Sequence, residues 1–256
     1  MFYQTLTLQR KDGVMVISIM ETADNIEMAR LSDELTDLCD EIIWDEEIKV
    51  VILTGIAEKS FSIGTNLMEI SSRGHEEQQK KLLSITEPIS KLDQPVIAAI
   101  NGDAIGQALE LALACDMRVA TDTSRFGLPH IKEGLIPWDG GIQRLSRLLG
   151  RGKALEILFF GDIIGAQEAL RIGLVNKVVP SENLVTVVMD IAKEMASKGP
   201  IALRYAKEAM YKGMDMTLEQ GLRLEADLYL LLHSTTDRTE GIKAFREKRV
   251  PKFEGK

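Results

Sequence analysis

Cysteine, aromatic residues and long apolar runs are all scarce in this sequence of 256 residues. The two cysteines, Cys39 and Cys115, have neither the CxxC nor the Cys/His spacing of a metal or redox site, and we expect them to be buried free thiols. No apolar run approaches membrane-spanning length, and the N-terminal segment has no apolar signal core. We therefore expect a cytoplasmic protein that has no membrane partner and binds no metal.

Basic residues are also in the minority, with 31 Lys and Arg against 39 Asp and Glu and a formal net charge of −8. A nucleic-acid partner requires a clustered basic face, and the sequence shows no such cluster. The composition therefore argues against a nucleic-acid partner. An apolar share of 45% is typical of an ordinary globular protein, and the length allows one large domain with a small helical appendage.

Strand-like and helix-like segments alternate in the first half of the chain. Short apolar runs predict strands at 15–19, 49–55, 96–100 and 117–120, and helical spacing predicts helices at 29–44 and 106–115. Beyond about residue 151 the apolar spacing is almost wholly helical. This alternation favours an α/β fold. We predict an α/β core over residues 1–195 and a helical C-terminal region over 196–256 that takes part in oligomerisation.

Two glycine-containing turns each follow a predicted strand, one at 61–67 (FSIGTNL) and one at 101–110 (NGDAIGQALE). Glycine at a strand-to-helix junction lets a ligand approach main-chain N–H groups, and a helix N-terminus adds unpaired donors and a positive dipole end. Two such turns facing each other could supply both donors of an oxyanion hole, although a glycine-rich turn before a helix is by itself usually structural. Neither matches GxGxxG or the P-loop, so no nucleotide cofactor is indicated.

Four blocks in order along the chain resemble the crotonase (enoyl-CoA hydratase/isomerase) superfamily. They are the two glycine turns, the stretch 126–145 that begins FGLP, and the stretch 165–180 that begins GAQEAL. The similarity continues to residues 241–245. The resemblance implies a spiral of repeated ββα units, acyl-CoA thioester substrates, and trimers that usually pair as hexamers. It implies no cofactor, because coenzyme A enters as part of the substrate.

The resemblance also assigns roles within the two glycine turns. It implies that the backbone N–H groups of Thr65 and Gln107 are the oxyanion donors, although relatives usually have glycine where Gln107 stands. The neighbouring turn residues are expected to line the thioester site: Ile63, Gly64, Asn66, Leu67 and Gly106. Near the C-terminus, three residues match positions that line the CoA pocket of relatives, often from an adjacent subunit: Tyr229, Phe245 and Lys248.

Glu110 falls where hydratases of the family carry one of two catalytic glutamates, in the first turn of a predicted helix. The structural alternative is a carboxylate that only complements the helix dipole. The expected place of the second glutamate is occupied by His130, whose residue type can exchange protons near neutral pH.

Asp139 is the other candidate partner for Glu110. We expect Asp139 to be the more effective of the two, because a carboxylate before Gly-Gly can project from a turn without packing constraints. Ordinary turn chemistry and a pocket-lining histidine are the structural alternatives for Asp139 and His130. Trp138 is expected either to wall off the acyl pocket or to anchor the core.

The sequence therefore predicts an enzyme that hydrates an enoyl-CoA or isomerises its double bond through a thioester enolate. A thioester hydrolase, a decarboxylase and a hydratase of cyclic dienoyl-CoAs remain open, because His130 and Gln107 are atypical. A non-catalytic acyl-CoA-binding subunit is the alternative from a different class, and the presence of Glu110 beside both turns argues against it.

Overall fold

The computed structural model describes residues 3–20, 25–56, 61 and 84–256. Its strands, in chain order, are β1 (Leu6–Lys11), β2 (Val14–Ile19), β3 (Val50–Gly55), β4 (Val96–Ile100), β5 (Ala104–Ile105), β6 (Met117–Thr121), β7 (Arg125–Gly127), β8 (Ile164–Gly165) and β9 (Lys177–Val179). Its helices are α1 (Asn25–Trp44), α2 (Thr86–Ser90), α3 (Gln107–Ala114), α4 (Gly141–Phe160), α5 (Ala166–Arg171), α6 (Leu184–Ala196), α7 (Pro200–Gly213), α8 (Leu218–Leu231) and α9 (Thr236–Glu247).

A six-stranded sheet forms the centre of the described part of the chain, in the order β1-β2-β3-β4-β6-β9. The first two strands form an antiparallel hairpin, and every later pair is parallel. All five residues of β4 are buried. Continuous apolar runs of this kind are typical of parallel strands that are covered on both faces. The predicted α/β class is confirmed, and β5, β7 and β8 add a small second sheet.

Apolar side chains cover the large sheet on both faces. On one face, the buried residues of α1 and α3 pack in a single cluster with Ile17, Leu53 and Ile100. On the other face, Val188 and Ala192 of α6 belong to a second cluster. The strand ends that lead into α3 are therefore fixed by packing from both sides, and α3 carries the residues of the candidate site.

The last three helices lie beyond this layered core. Lys207 of α7 donates to Asp116 Oδ2 at 2.8 Å and to the Gln94 carbonyl at 2.9 Å, which ties α7 to the sheet. Leu228 is buried in α8, whereas four other leucines of this helix are exposed: Leu218, Leu222, Leu230 and Leu231. The division of the chain near residue 195 stays a prediction. In the ranges that the structure describes, no helix is both long and apolar enough to cross a membrane.

Candidate active site

Helix α3 carries two polar side chains into the protein interior. The helix begins at Gln107, directly after Gly106, whose φ of +63° and ψ of −131° suit glycine and disfavour other residues. All eight residues of α3 are buried. The apolar ones pack in the core, while Gln107 and Glu110 bring an amide and a carboxyl group to the first turn. Main-chain N–H groups and a carboxyl group therefore lie together at one helix end.

The Glu110 carboxyl group is held on one side only. Its Oε2 accepts a hydrogen bond of 2.7 Å from the Gly141 N–H, and its Oε1 has no hydrogen-bond partner among the described residues. Burial is the main cause that raises the pKa of Glu110 to about 7; the Gly141 N–H opposes this shift, and the negative charge of Asp139 adds to it. Glu110 can therefore hold or release a proton near neutral pH.

His130 faces the unpaired oxygen of Glu110. It lies in a 3₁₀ turn (Pro129–Glu133) with 1% of its surface exposed, and its Nε2 is 3.8 Å from Glu110 Oε1. Neither ring nitrogen has a hydrogen-bond partner within the described ranges, and the same is true of Trp138 Nε1. The His130 and Trp138 rings meet edge to face, with centroids 5.6 Å apart. Burial lowers the pKa of His130, so the imidazole is neutral at pH 7.

Asp139 is buried and fully engaged, with 6% of its surface exposed. Its Oδ1 accepts from the hydroxyl groups of Ser84 and Thr86, at 2.5 and 2.7 Å. Its Oδ2 accepts from the Ile85 N–H and from Gln107 Nε2, both at 3.0 Å. The expectation that this carboxylate projects freely from its turn is wrong, because four donors from two other parts of the chain hold it. A catalytic role for Asp139 stays a prediction.

The two glycines after Asp139 are required by close approaches. Gly140 has a φ of +95°, and a Cβ atom there would overlap Nη1 of Arg144, which donates to the Asp139 carbonyl. A Cβ atom on Gly141 would lie 2.9 Å from Glu110 Cγ. The Gly-Gly pair therefore lets the start of α4 lie against Glu110 and leaves room for the Arg144 side chain.

Of the other site residues predicted from the sequence, one lies beside His130, others are exposed near the C-terminus, and the rest fall outside the described residues. Gly106 lies beside His130, since a Cβ atom on it would be 3.8 Å from His130 Cε1. Tyr229 and Phe245 are exposed, at 61% and 85%, and Lys248 ends α9 in a left-handed conformation. Ile63, Gly64, Thr65, Asn66 and Leu67 lie outside the described residues.

Sequence reasoning did not identify Ser84, Thr86 or Arg144 as residues of this region. Ser84 and Thr86 are 55 and 53 positions away from Asp139, so no local spacing connects them to it. Arg144, in contrast, is close to this region in the sequence. It comes four residues after Gly140, one helical turn along, and its backbone N–H donates to the Gly140 carbonyl. A basic residue one turn after the glycine pair was therefore a local signal that could have identified Arg144.

A buried carboxyl group and a neutral imidazole across a narrow gap, beside a helix N-terminus, form a candidate acid–base site. Comparison with known proteins identifies the class of enzyme that carries it. The sequence model of the enoyl-CoA hydratase/isomerase family matches residues 9–256. The chain therefore belongs to this family and is an enzyme of the lyase or isomerase type.

Individual relatives agree with this assignment. The chain is 37% identical to a crotonyl-CoA hydratase of Syntrophomonas wolfei, with 99% of each chain covered. It is 40% identical to a short-chain-enoyl-CoA hydratase of Clostridium acetobutylicum, covering 87% of this chain and 85% of the other. It is also similar in structure to an enoyl-CoA hydratase of Bacillus anthracis, with a TM-score of 0.90, 39% identity and coverage of 99% and 100%.

Proposed function

We propose that the chain is an enoyl-CoA hydratase, which adds water across the double bond of a 2-enoyl-CoA thioester. The observation that carries this proposal is the gap between Glu110 Oε1 and His130 Nε2. These atoms are buried, 3.8 Å apart, and without hydrogen-bond partners in the part of the chain that the structure describes. One water oxygen can lie at hydrogen-bond distance, about 2.8 Å, from both atoms. The relatives named as hydratases support the same reaction.

The protonation states of the two groups suit water addition. Neutral His130 accepts a proton from water as the water oxygen bonds to the β-carbon, and the electron pair of the double bond moves toward the thioester oxygen. Protonated Glu110 then donates its proton to the α-carbon of the resulting enolate. Transfer of the proton from the His130 imidazolium to the Glu110 carboxylate restores both groups, so one molecule of water is consumed in each cycle.

The enolate oxygen requires hydrogen-bond donors during this cycle. We assign that role to the backbone N–H groups of Gln107 and Thr65, because Gln107 is the first residue of the helix that carries Glu110. Only coenzyme A within the substrate is required, and no separate cofactor takes part. Tyr229, Phe245 and Lys248 stay predicted CoA contacts, and Trp138 stays a predicted wall of the acyl pocket.

Purified protein incubated with crotonyl-CoA in ¹⁸O-labelled water tests the reaction by mass spectrometry of the product. We expect a 3-hydroxyacyl-CoA that carries the label. Glu110→Gln and His130→Gln should each lower kcat by about 10²–10⁴, since each removes a positioned proton-transfer group. Glu156→Gln makes the same chemical change as Glu110→Gln at an exposed position and serves as the control.

Two outcomes would contradict the proposal. A folded His130→Gln variant that hydrates crotonyl-CoA at the parent rate would remove His130 from the mechanism. Parent protein that leaves crotonyl-CoA unchanged but shifts the double bond of a 3-enoyl-CoA would be an isomerase. Malonyl-type and cyclic dienoyl thioesters in the same panel test for a decarboxylase and a cyclic dienoyl-CoA hydratase, and release of free coenzyme A would reveal a thioester hydrolase.

We also propose that the chain forms a homotrimer, or a homohexamer built from two trimers. The four exposed leucines of α8 support self-association, because association would remove these apolar side chains from water. Light scattering at micromolar concentration should give three or six times the mass of one chain, and a monomer would contradict it. The cytoplasmic location stays a prediction.

A further inference from the structure

We propose that Asp139 is a positioning residue, which joins the helix of the oxyanion hole, the Glu110 carboxyl group and the chain at 84–86, and does not itself exchange protons with the substrate. This inference rests on the proposed hydratase function for its kinetic part.

The first contact of Asp139 is with the start of α2. Ser84, Ile85 and Thr86 direct two hydroxyl groups and one backbone N–H to the carboxylate, and the Thr86 hydroxyl oxygen also lies 2.8 Å from the Asp139 main-chain carbonyl oxygen. Ile85 and Thr86 are almost fully buried. Buried donors that are left unpaired destabilise the folded state, so this junction depends on the carboxylate.

The second contact is with Gln107. Its Nε2 donates to Asp139 Oδ2 at 3.0 Å, and the backbone N–H of the same residue is the proposed oxyanion donor. Gly106, the residue before it, has a backbone conformation that glycine adopts readily and other residues disfavour. Glycine restricts the backbone less than any other residue, so Gly106 does little to fix the orientation of the donor that follows it. The side-chain contact with Asp139 restricts that orientation.

The third contact is indirect and reaches Glu110. Gly141 follows Asp139 by two residues, and its N–H holds Glu110 Oε2 at 2.7 Å. Among the described residues, the charged or titratable groups that face Glu110 are His130 from the 3₁₀ turn, and Asp139 and Arg144 from the start of α4. Asp139 therefore fixes the position of the Gly141 donor and also opposes ionisation of Glu110 through its negative charge.

The same geometry argues against proton exchange by Asp139. Both of its oxygens already accept two hydrogen bonds each, whereas Glu110 Oε1 and both nitrogens of His130 have no partner in the described ranges. A group that exchanges protons with a substrate needs an oxygen or nitrogen that the substrate or its water can reach.

Asp139→Asn separates charge from contact. Asparagine has the same shape; its oxygen can replace Oδ2 as the acceptor for Ile85 and Gln107, and its NH₂ group can donate to the hydroxyl groups of Ser84 and Thr86, which can reverse their roles. We expect the Glu110 carboxyl, followed by ¹³C NMR of labelled glutamate, to titrate at lower pH in this variant. Asp215→Asn, which removes an exposed charge from the loop after α7, should leave that titration in place.

Kinetics of crotonyl-CoA hydration give a second readout. In Asp139→Asn, kcat should fall less than about tenfold at its optimum, and the limb of the pH profile that belongs to Glu110 should move to lower pH. A fall of about 10² or more at every pH would show that Asp139 transfers protons itself and would overturn the proposal. An unchanged Glu110 titration would also overturn it, and this NMR result holds even if the hydratase assignment fails.

A double-mutant cycle tests the link through Gln107. Gln107→Met removes the amide but keeps the length of the side chain, and Asp139→Ala removes the acceptor. If the two residues act through one contact, the double variant should lose little more kcat than the more damaging single variant. Losses that multiply would show independent action and would overturn this link.

If Asp139→Ala does not fold, Asp139→Asn replaces it in the cycle. The asparagine oxygen retains the acceptor for the Gln107 amide, so Gln107→Met should lower kcat by the same factor in the Asp139→Asn background as in the parent. A Gln107→Met substitution that leaves kcat unchanged in both backgrounds would overturn the link.

Discussion

Two carboxyl groups lie close to the same helix end and have opposite surroundings. Asp139 accepts four hydrogen bonds from the chain at 84–86 and from Gln107. Glu110 accepts one from Gly141 on Oε2, while its Oε1 faces His130 across 3.8 Å with no partner in the described part of the chain. Both side chains are buried, so burial alone does not distinguish a structural acid from a reactive one. The number of unmet hydrogen bonds does.

The contrast separates the region into two parts with different expected behaviour. We call the residues that bond Asp139, namely Ser84, Ile85, Thr86 and Gln107, the Asp139 network, and we call the space between Glu110 and His130 the catalytic gap. Changes in the Asp139 network should mainly lower the free energy of unfolding and should have a smaller effect on kcat. Changes at the catalytic gap should lower turnover and leave stability unchanged or increased.

The largest effect should come from displacing the Glu110 carboxyl group with one added methyl group. Gly141→Ala places a Cβ atom 2.9 Å from Glu110 Cγ, which must displace the carboxyl group. We expect the rate of crotonyl-CoA hydration to fall by about 10² or more, the lower range for loss of a positioned proton-transfer group. Gly152→Ala in the same helix has no atom within 4 Å of the added methyl group and should keep the parent rate. Equal activity in both variants would mean that the position of Glu110 is not critical.

The next effect is a pH-dependent gain in stability from Glu110→Gln. Burial raises the pKa of Glu110 from 4.5 to about 7, so the folded parent holds the proton more tightly than the unfolded chain. Proton binding by Glu110 therefore contributes its full stabilisation of the folded parent below about pH 4.5, and this stabilisation is lost as the pH rises through about 7. At about 1.4 kcal/mol per pKa unit, Glu110→Gln should gain about 3 kcal/mol over the parent between these limits.

Denaturant unfolding of both proteins across this pH range measures that gain. Glu156→Gln, an exposed substitution of the same kind, should show no such trend. A stability difference between Glu110→Gln and the parent that does not change with pH would show that the Glu110 carboxyl ionises as easily as in the unfolded chain.

The smallest effect should come from removing one donor of the Asp139 network. Thr86→Val keeps the shape of the side chain but removes the hydroxyl group that donates to Asp139 Oδ1. The free energy of unfolding should fall by about 1–3 kcal/mol, while kcat should change less than about tenfold. Thr36→Val is the control, since the Thr36 hydroxyl is on the surface of α1 and bonds the Ser32 carbonyl of its own helix. If Thr86→Val lowered kcat beyond that limit while the free energy of unfolding stayed close to that of the parent, Thr86 would belong to the catalytic gap.

The sequence predicts the parts of the fold that rest on local periodicity. The strands β3, β4 and β6 and the helix α3 carry continuous apolar runs or helical spacing, and Glu110 lies in the predicted first turn of α3. The sequence does not predict β1, because all of its residues after Leu6 are exposed and polar ones dominate its second half, so the apolar signal is weak. Edge strands often give weak signals of this kind, since only one face is covered.

The surroundings of Asp139 could not be predicted in the same way. Its partners come from 53 to 55 residues earlier and, in Gln107, from 32 residues earlier in the chain. Local turn chemistry favours an aspartate before Gly-Gly whether it is exposed or buried, so the sequence carries no signal for its burial. Tertiary packing decides the environment of this carboxylate, and the prediction that it projects freely is wrong for that reason.

The edge-to-face contact between Trp138 and His130 gives the protein a spectroscopic reporter. The chain has two tryptophans, and Trp44 is 84% exposed. A Trp44→Phe variant would therefore emit from Trp138 alone, whose ring lies 5.6 Å from the imidazole. An imidazolium quenches indole emission more strongly than a neutral imidazole. The fluorescence of that single tryptophan would then follow the charge of His130 directly, and a stopped-flow trace could time its protonation within one turnover.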